Sequence, residues 1–421
     1  MTANDRAGVI AGRAHRHPAR APAVRAGRGL VWLNLFVANI QTGFGPFVAV
    51  YLTTEGWNQT RIGLALSLGT ISAMASQLPA GALVDVIRNK AAVAFLSILA
   101  FAGSALLFAL WPTPLSVYLA EALHGFSSCT LGPAIAAMSL IIAGHRGLGL
   151  RLGRNARYAA IGNGIGAALM GGCGYYFSNR SVFFLTAVLS LGALLPLLPL
   201  AQLDQAGRPP PPRAASARGR SQPISHVLTN RALLSYACLA MLFTLGNAAM
   251  LPLAGNLVTR QAASEGVLLI AAGIVLPQIV AAVLSTALGR LAEARGRRLV
   301  LFLGFCTLPI RAALFVYVKD PGLIVLVQAL DGIAGAAIGI IGPLVTADVA
   351  AKSGHYNLAL GLVGFAIGIG ATFSTGVAGW IADQFGGATA FYALAAVGLA
   401  ATALVWVVMP ETRSAEADKA R

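Results

Sequence analysis

Apolar stretches of close to 20 residues recur along this chain, separated by short clusters of arginine, glycine and proline. At 1.5 Å per residue, about 20 helical residues cross the ~30 Å hydrocarbon core of a bilayer. No strand-like alternation of apolar and polar residues appears, and a bilayer leaves no backbone group unsatisfied, so the stretches predict membrane-spanning helices. Twelve spans are placed near 30–52, 62–84, 91–111, 115–143, 157–177, 182–203, 232–258, 267–288, 299–318, 322–347, 357–382 and 388–408. Residues 204–231 break the pattern. Pro209 to Pro212, then Arg213, Arg218 and Arg220 among Gly and Ser, predict a flexible linker between six spans and six. The expected fold is an all-α membrane protein built as two pseudo-symmetric six-helix bundles. It divides into a basic tail at 1–29, a bundle at 30–203, the linker at 204–231, a second bundle at 232–408 and a tail at 409–421.

The two halves also share sequence. Gly81-Ala-Leu83-Val-Asp85-Val-Ile-Arg88-Asn-Lys90 returns about 208 residues later as Gly289-Arg-Leu291-Ala-Glu293-Ala-Arg-Gly296-Arg297-Arg298. Glu121-Ala-Leu-His124-Gly125 returns as Gln328-Ala-Leu-Asp331-Gly332, and Ala38-Asn39 as Gly246-Asn247. Three matches at nearly one offset indicate a duplicated unit. In a membrane protein, paired units of this kind usually flank a central site and rock against each other.

Composition fits this picture. The chain is 57% hydrophobic and 10% charged, far from the roughly 25% charge of a soluble domain. Its 48 glycines suit close helix packing in lipid. A net charge of +16 would ordinarily raise nucleic-acid binding, but the charge distribution argues for topology instead. Even-numbered connections, counting Arg157 at the edge of span five, and the two tails hold 25 of the 30 Lys and Arg; the others are Arg61, Arg180, Arg260, Lys319 and Arg311. That asymmetry places both termini in the cytoplasm, with the first helix serving as an uncleaved signal. No nucleic-acid partner is expected; the bilayer is the partner, and the basic tail could touch its anionic lipid. Cys129, Cys173, Cys238 and Cys306 all fall in predicted spans and read as small apolar residues rather than disulfide partners or zinc ligands.

Twelve spans in two related halves, a basic central loop and a repeated motif after spans two and eight resemble the major facilitator superfamily over residues 30–408. The family signature there reads Gly-x-Leu-x-Asp-Arg-x-Gly-Arg-Arg/Lys. The second copy keeps Gly289, Leu291, Gly296, Arg297 and Arg298, with Glu293 for the aspartate; the first keeps Gly81, Leu83, Asp85 and Lys90. Val86 stands where the family has arginine, and Arg88 where it has glycine. The resemblance implies a twelve-helix secondary carrier in which this loop holds the outward-facing arrangement. Physical reasoning gives the same role. Gly81 admits a neighbouring helix, and a carboxylate at Asp85 can meet the positive N-terminal end of another helix or an arginine. Gly81, Asp85, Arg88, Gly289, Glu293, Gly296 and Arg297 are therefore candidates for a conformational latch. Asp85 and Arg88 could instead be loop charges that only obey the topology rule.

Ionisable side chains inside a span cost about 2.5–3.5 kcal/mol or more unless paired or wet, so each is a functional candidate. They are Glu121 and His124 in span four, Arg311 in span nine and Asp331 in span ten. Glu121 and His124 share a helical face. Histidine near the midplane, with a carboxylate from the twin helix at matching depth, suits proton binding and release. The alternative is that Glu121 reaches the outer surface and His124 is a packing residue. Arg311 lies at the depth of Gln328 and Asp331. An Arg311–Asp331 pair would neutralise both, either as a static bond or as a receiver for an anionic substrate. Polar interruptions at Asn39, Gln41, Asn163, Asn247 and Gln278 complete the candidate pathway. The resemblance places helices one, four, seven and ten around a cavity, which Asn39, His124, Asn247 and Asp331 would then face, and it puts the ninth helix at the periphery. Each Asn or Gln could also be an interhelical hydrogen bond of about 0.6 kcal/mol.

Proton antiporters of this superfamily that export drugs carry an arginine four residues before the span-four glycine, where this chain has Glu121. They also carry a Gly-Pro pair in span five, where it has Gly166-Ala167. The chain is thus antiporter-like with degenerate antiporter motifs. The expected function is proton-coupled export of a small organic molecule across a bacterial inner membrane, by a monomer without metal or cofactor. Uptake of a metabolite or siderophore is the alternative, and a carrier-like sensor or assembly factor that moves nothing is the alternative of another class. An enzyme is not expected, since no nucleotide-binding loop, metal-ligand cluster or nucleophile–base pair appears.

Overall fold

The structure is a computed structural model that describes residues 20–44, 46–57, 59–205, 225–254, 266–350 and 355–412. Its first half forms α1 (Arg20–Thr42), α2 (Pro46–Thr54), α3 (Gln59–Val86), α4 (Lys90–Leu110), α5 (Pro114–Tyr176), α6 (Ser181–Leu194) and α7 (Leu198–Gln205). After the short α8 (Ser225–Leu228), the second half forms α9 (Arg231–Asn247), α10 (Gly266–Arg295), α11 (Arg297–Tyr317), α12 (Pro321–Val327), α13 (Ala329–Ala350), α14 (Tyr356–Phe385) and α15 (Gly387–Val408). No strand occurs among the described residues, and nine of their helical segments are long and apolar enough to cross a membrane.

Local chemistry sets the helix ends. Asn89 caps α4 by accepting from the Ala92 N–H at 2.8 Å, Asn230 caps α9, and Asp320 ahead of Pro321 caps α12. Gly296 and Gly386 have φ of 101° and 89°, a region that L side chains avoid, and let α10 turn into α11 and α14 into α15 without a loop.

The helices depart from the sequence expectation at the start of α1, at the connection expected at 144–156, and inside spans one and ten, which divide into α1 and α2 and into α12 and α13. α1 starts at Arg20, inside the segment expected to be tail, because Ala and Arg are strong helix formers and continue the first span. The connection expected at 144–156 is helical, with a single break at Gly144, whose φ of 65° and ψ of 177° only glycine adopts easily. The extension is held because Leu148 and Leu152 bury in the core of the other half. The linker residues Pro209 to Pro212, Arg213, Arg218 and Arg220 lie outside the described residues, as does Arg260.

Each half has its own apolar core. Phe44, Tyr51, Phe101, Phe108 and Phe183 build the first, and the Tyr51 hydroxyl donates to the Phe108 carbonyl at 2.8 Å. Tyr236, Phe243, Phe305, Phe315 and Phe391 build the second. Large apolar side chains also face outward: Leu96, Val188, Val283, Leu399 and Val407 are exposed, a surface that lipid covers better than water.

The halves meet through glycine. A Cβ on Gly81 of α3 would collide with the Asn357 carbonyl of α14, and one on Gly361 of α14 with the Gln77 carbonyl of α3. The same relation recurs 208 residues away. Gly289 of α10 faces the Gly149 carbonyl of α5, and Gly153 of α5 faces the Ser285 carbonyl of α10. Small residues allow this backbone approach, which supplies the packing that helices in lipid rely on.

Candidate functional site

At one end of these glycine crossings lies a carboxylate contact. Asp85, at the close of α3, accepts from the Asn357 backbone N–H at 3.0 Å, the Asn357 side-chain amide at 2.7 Å and the Leu358 N–H at 2.9 Å. The two backbone groups are unpaired donors of the first turn of α14, where the helix dipole is positive. The duplicate contact is weaker. Glu293 accepts from the Leu150 N–H at 3.1 Å, just past the Gly144 break. Leu150 and Leu358 are themselves 208 residues apart, so donor and acceptor are both duplicated.

The remaining motif residues brace their own halves. Lys90 donates to the Val84 carbonyl and, at 2.6 Å, to the Ile87 carbonyl, closing the end of α3. Arg88, expected beside Asp85 in the latch, is exposed and forms no ion pair among the described residues. Lys90 reaches the carbonyls because it follows on the next helix, whereas Arg88 points away in the turn. Arg297 is buried, pairs with Asp348 of α13 at 3.1 Å and donates to the Ala292 carbonyl at 2.7 Å. Gly296 starts α11, whose first N–H groups, on Arg297 and Arg298, donate to Glu411 at 2.9 and 3.2 Å.

Deeper in the first half, Glu121 is 3% exposed, and its Oε2 lies 3.8 Å from His124 Nδ1. The imidazole stacks on Phe44 with centroids 4.2 Å apart and meets Phe101 edge-on at 5.3 Å. Glu121 is therefore not at the outer surface. Gly69 of α3 leaves just enough room for its carboxylate, while Oε1 has no protein partner. In the second half the expected pair forms: Arg311 contacts Asp331. The same guanidinium donates to the Asn247 side-chain oxygen and lies 3.2 Å from Met250 Sδ. Arg311 is thus held by α9, α11 and α13 together, and the ninth span, expected at the periphery, sends its charge inward. No hydrogen bond or ion pair among the described residues joins the Glu121–His124 cluster to the Arg311–Asp331 cluster.

The neutral candidates divide. Asn163 of α5 donates to Gln278 of α10 at 3.3 Å across the two halves, and the Thr42 hydroxyl donates to Asn163 at 3.4 Å. Asn39 is buried against Gly166 instead of facing open space, and its Oδ1 has no protein partner. Gln328 sits at the break between α12 and α13, buried, with Oε1 likewise unpartnered. Gln41 is exposed. Buried acceptors without partners are rare and costly, and a proton, water or ligand group satisfies them. Glu121 and Gln328, the repeat equivalents, share this condition.

Sequence reasoning missed Phe44, Phe101, Asn357, Leu150, Met250 and Asp348. The 208-residue offset would have paired Leu150 with Leu358 as the donors to Glu293 and Asp85. No such signal marked the aromatic clamp on His124.

Comparison with known proteins agrees with this architecture. The family model described as Major Facilitator Superfamily matches residues 30–277 and 266–421. Two proteins called uncharacterized MFS-type transporters, from two strains of Mycobacterium tuberculosis, are each 33% identical over 399 residues, covering 92% of this chain and 94% of the relative. Among solved structures, the MFS transporter FucP in the outward conformation aligns with a TM-score of 0.71 at 15% identity, covering 92% of this chain and 98% of that one. The human organic anion transporter MFSD10 (TETRAN) aligns with a TM-score of 0.69 at 15% identity, covering 91% and 99%.

Proposed function

The chain belongs to the major facilitator superfamily and is a multi-pass membrane transporter. From that premise we propose that it exports a small organic molecule by alternating access, coupled to protons. The reading takes the twelve spans as two six-helix bundles, 30–203 and 232–408, joined by the linker at 204–231, with both termini cytoplasmic and a monomer as the working unit. The observation that carries it is the duplicated contact of Asp85 with α14 and of Glu293 with α5. Both bonds cross between the halves at the same end, so rocking that opens this end breaks both and withdraws Leu148 and Leu152 from the second core, while the aromatic cluster of each half stays within that half. With that end cytoplasmic, the arrangement faces outward.

In this reading His124 and Glu121 handle the proton. A carboxylate buried with one oxygen unpartnered is stabilised by a proton of its own or by a protonated imidazole at 3.8 Å. His124, with a side chain 21% exposed, gives that proton a way out. Arg311, Asp331, Asn247 and Gln328 form the polar wall in the other half, and Asn163 and Gln278 close the space between. Everted vesicles under an acid-inside gradient test the proposal with a substrate panel. Substrate-linked proton movement is expected in the wild type and not in His124→Gln or Glu121→Gln. Transport indifferent to the gradient, for every substrate moved, sinks proton coupling.

Uptake is the second reading. Glu121 in place of the antiporter arginine, and Gly166-Ala167 in place of Gly-Pro, keep it open beside export. Accumulation in intact cells with and without the protein decides direction. A cellular phenotype left unaffected by an Asp331→Asn, His124→Ala and Asn39→Ala series would favour the non-transporting class instead.

A further inference from the structure

Two grooves on the outside of the helix bundle lie at corresponding places in the two halves. The first, about 440 Å³, is lined by Arg25, Arg28, Gly29 and Trp32 of α1 and by Leu195 and Pro196 at the end of α6. The second, about 500 Å³, is lined by Asn230 and Arg231 at the start of α9, Arg298 of α11, and Trp406, Met409 and Pro410 at the end of α15. Adding the 208-residue offset to Pro199 gives Val407, and these two residues line the respective grooves; the arginines and tryptophans do not correspond letter by letter, Trp32 matching Ala240 and Arg298 matching Lys90. Each groove therefore lies where the first helix of a half begins and the last helix of that half ends.

Their chemistry matches as well as their position. Each offers two guanidinium groups and one tryptophan, and neither has an acidic side chain in its lining. Arg25 and Arg28 are exposed and have no ion-pair partner among the described residues; Arg231 is exposed as well. Arg298 lies over the Trp406 ring at 4.5 Å, a stacking that orients the guanidinium. Trp32 is held edge-on to Tyr158 at 6.2 Å. The walls beyond the arginines are apolar and exposed: Leu195 and Leu198 on one side of the duplication, Val407 on the other. In the first groove Gly29 lets the chain at Pro196, in the 3-10 turn Leu195–Leu197, come close.

The geometry points to two binding sites for anionic phospholipid, one per half. The phosphodiester lies between the paired arginines, the tryptophan sits at headgroup level, and an acyl chain runs along the exposed apolar wall. Arginine forks bind phosphate oxygens in bidentate fashion, and basic pockets between transmembrane helices are suited to acidic headgroups. A bound lipid holds α1 to the end of α6 in one half, and α9 and α11 to the end of α15 in the other, and does not bridge the halves. It stiffens each bundle while leaving the rocking motion free. The leaflet follows from the cytoplasmic placement of this end proposed above, which a binding measurement in detergent does not depend on; labelling of Arg28→Cys from either side of sealed vesicles tests the placement separately.

Native mass spectrometry of the full chain, titrated with phosphatidylglycerol, phosphatidylethanolamine or inorganic phosphate, reads the sites directly. Two phosphatidylglycerol adducts are expected, at least tenfold tighter than phosphatidylethanolamine. Arg25→Gln with Arg28→Gln should remove one, Arg231→Gln with Arg298→Gln the other, and the charge-matched control Arg290→Gln with Arg295→Gln neither. If a glutamine pair fails to fold, the charge-keeping Arg25→Lys with Arg28→Lys pair carries the test, with an adduct weakened several-fold. Adducts that survive both pairs, fall equally in the control, or form equally with phosphatidylethanolamine overturn the proposal. Protection of the sites by inorganic phosphate alone makes them free-anion sites and overturns it too.

Discussion

Replacing Asp85 with asparagine tests the latch most directly, because the carboxylate spans the two halves with three hydrogen bonds of 2.7–3.0 Å. Hydrogen bonds to a charged group are each worth about 1.5–3 kcal/mol, and a partly buried anion at a helix N-terminus up to ~2 kcal/mol. The substituted amide would keep one acceptor oxygen, lose the charge and turn an NH2 toward N–H donors. A net loss of about 2 kcal/mol follows, which changes the closed-to-open ratio at this end by roughly 30-fold. A protein closed about 100:1 would fall to roughly 3:1. Glu293→Gln removes the charge from a single 3.1 Å bond and should cost about 1 kcal/mol, or roughly fivefold. Spin labels at exposed Arg88→Cys and Arg290→Cys, one in each half, report the separation by pulsed electron resonance once the native cysteines are serine. A longer-distance population should grow clearly in Asp85→Asn and less in Glu293→Gln. An unchanged distance distribution in folded Asp85→Asn, or an effect of Glu293→Gln as large or larger, refutes the reasoning.

Three further outcomes are expected. Gly81→Ala should open the same end in the same spin-label measurement, because its Cβ would strike the Asn357 carbonyl and approach Leu358 Cα at 3.1 Å; a distribution like the wild type's would mean that α14 yields. Asp331→Asn strands Arg311, which is 2% exposed, and should lower the melting temperature more than Arg311→Gln, which strands an Asp331 side chain that is 33% exposed. The loss from breaking such a pair is about 3–5 kcal/mol where burial is complete, and the reverse order would show that Asn247 and Met250 satisfy the guanidinium unaided. Asn163→Ala and Gln278→Ala should couple by only about 0.6 kcal/mol in a double-mutant cycle on the closed-to-open ratio, the usual worth of an interhelical hydrogen bond in lipid; a coupling several times larger would make this bond a gate in its own right.

The apolar helices, the duplication, a carboxylate at Asp85 able to meet a helix end and the Arg311–Asp331 pair were legible in the sequence. Each is written locally or at a fixed offset. Hydropathy marks a span without reference to its neighbours, a repeat is visible as repeated letters, and Arg311 and Asp331 had matching depths on successive spans. What the sequence left open was lateral. It offered Asp85 a helix end or an arginine, and only packing chose the first turn of α14, with Asn357 272 residues away. It placed Glu121 and His124 on one face, and only packing put Phe44 and Phe101 around the imidazole and left a Glu121 oxygen without a partner. It set Asn39 beside an expected cavity, whereas Gly166 covers it. Depth along a helix follows from counting at 1.5 Å per residue, but facing depends on rotation, and each residue turns the helix by about 100°. Which neighbour fills that angle is decided by the fit of both helix surfaces; for Asp85 the glycine–carbonyl contacts between the halves make that decision, and for Glu121 and Asn39 the close packing at Gly69 and Gly166 within the first half.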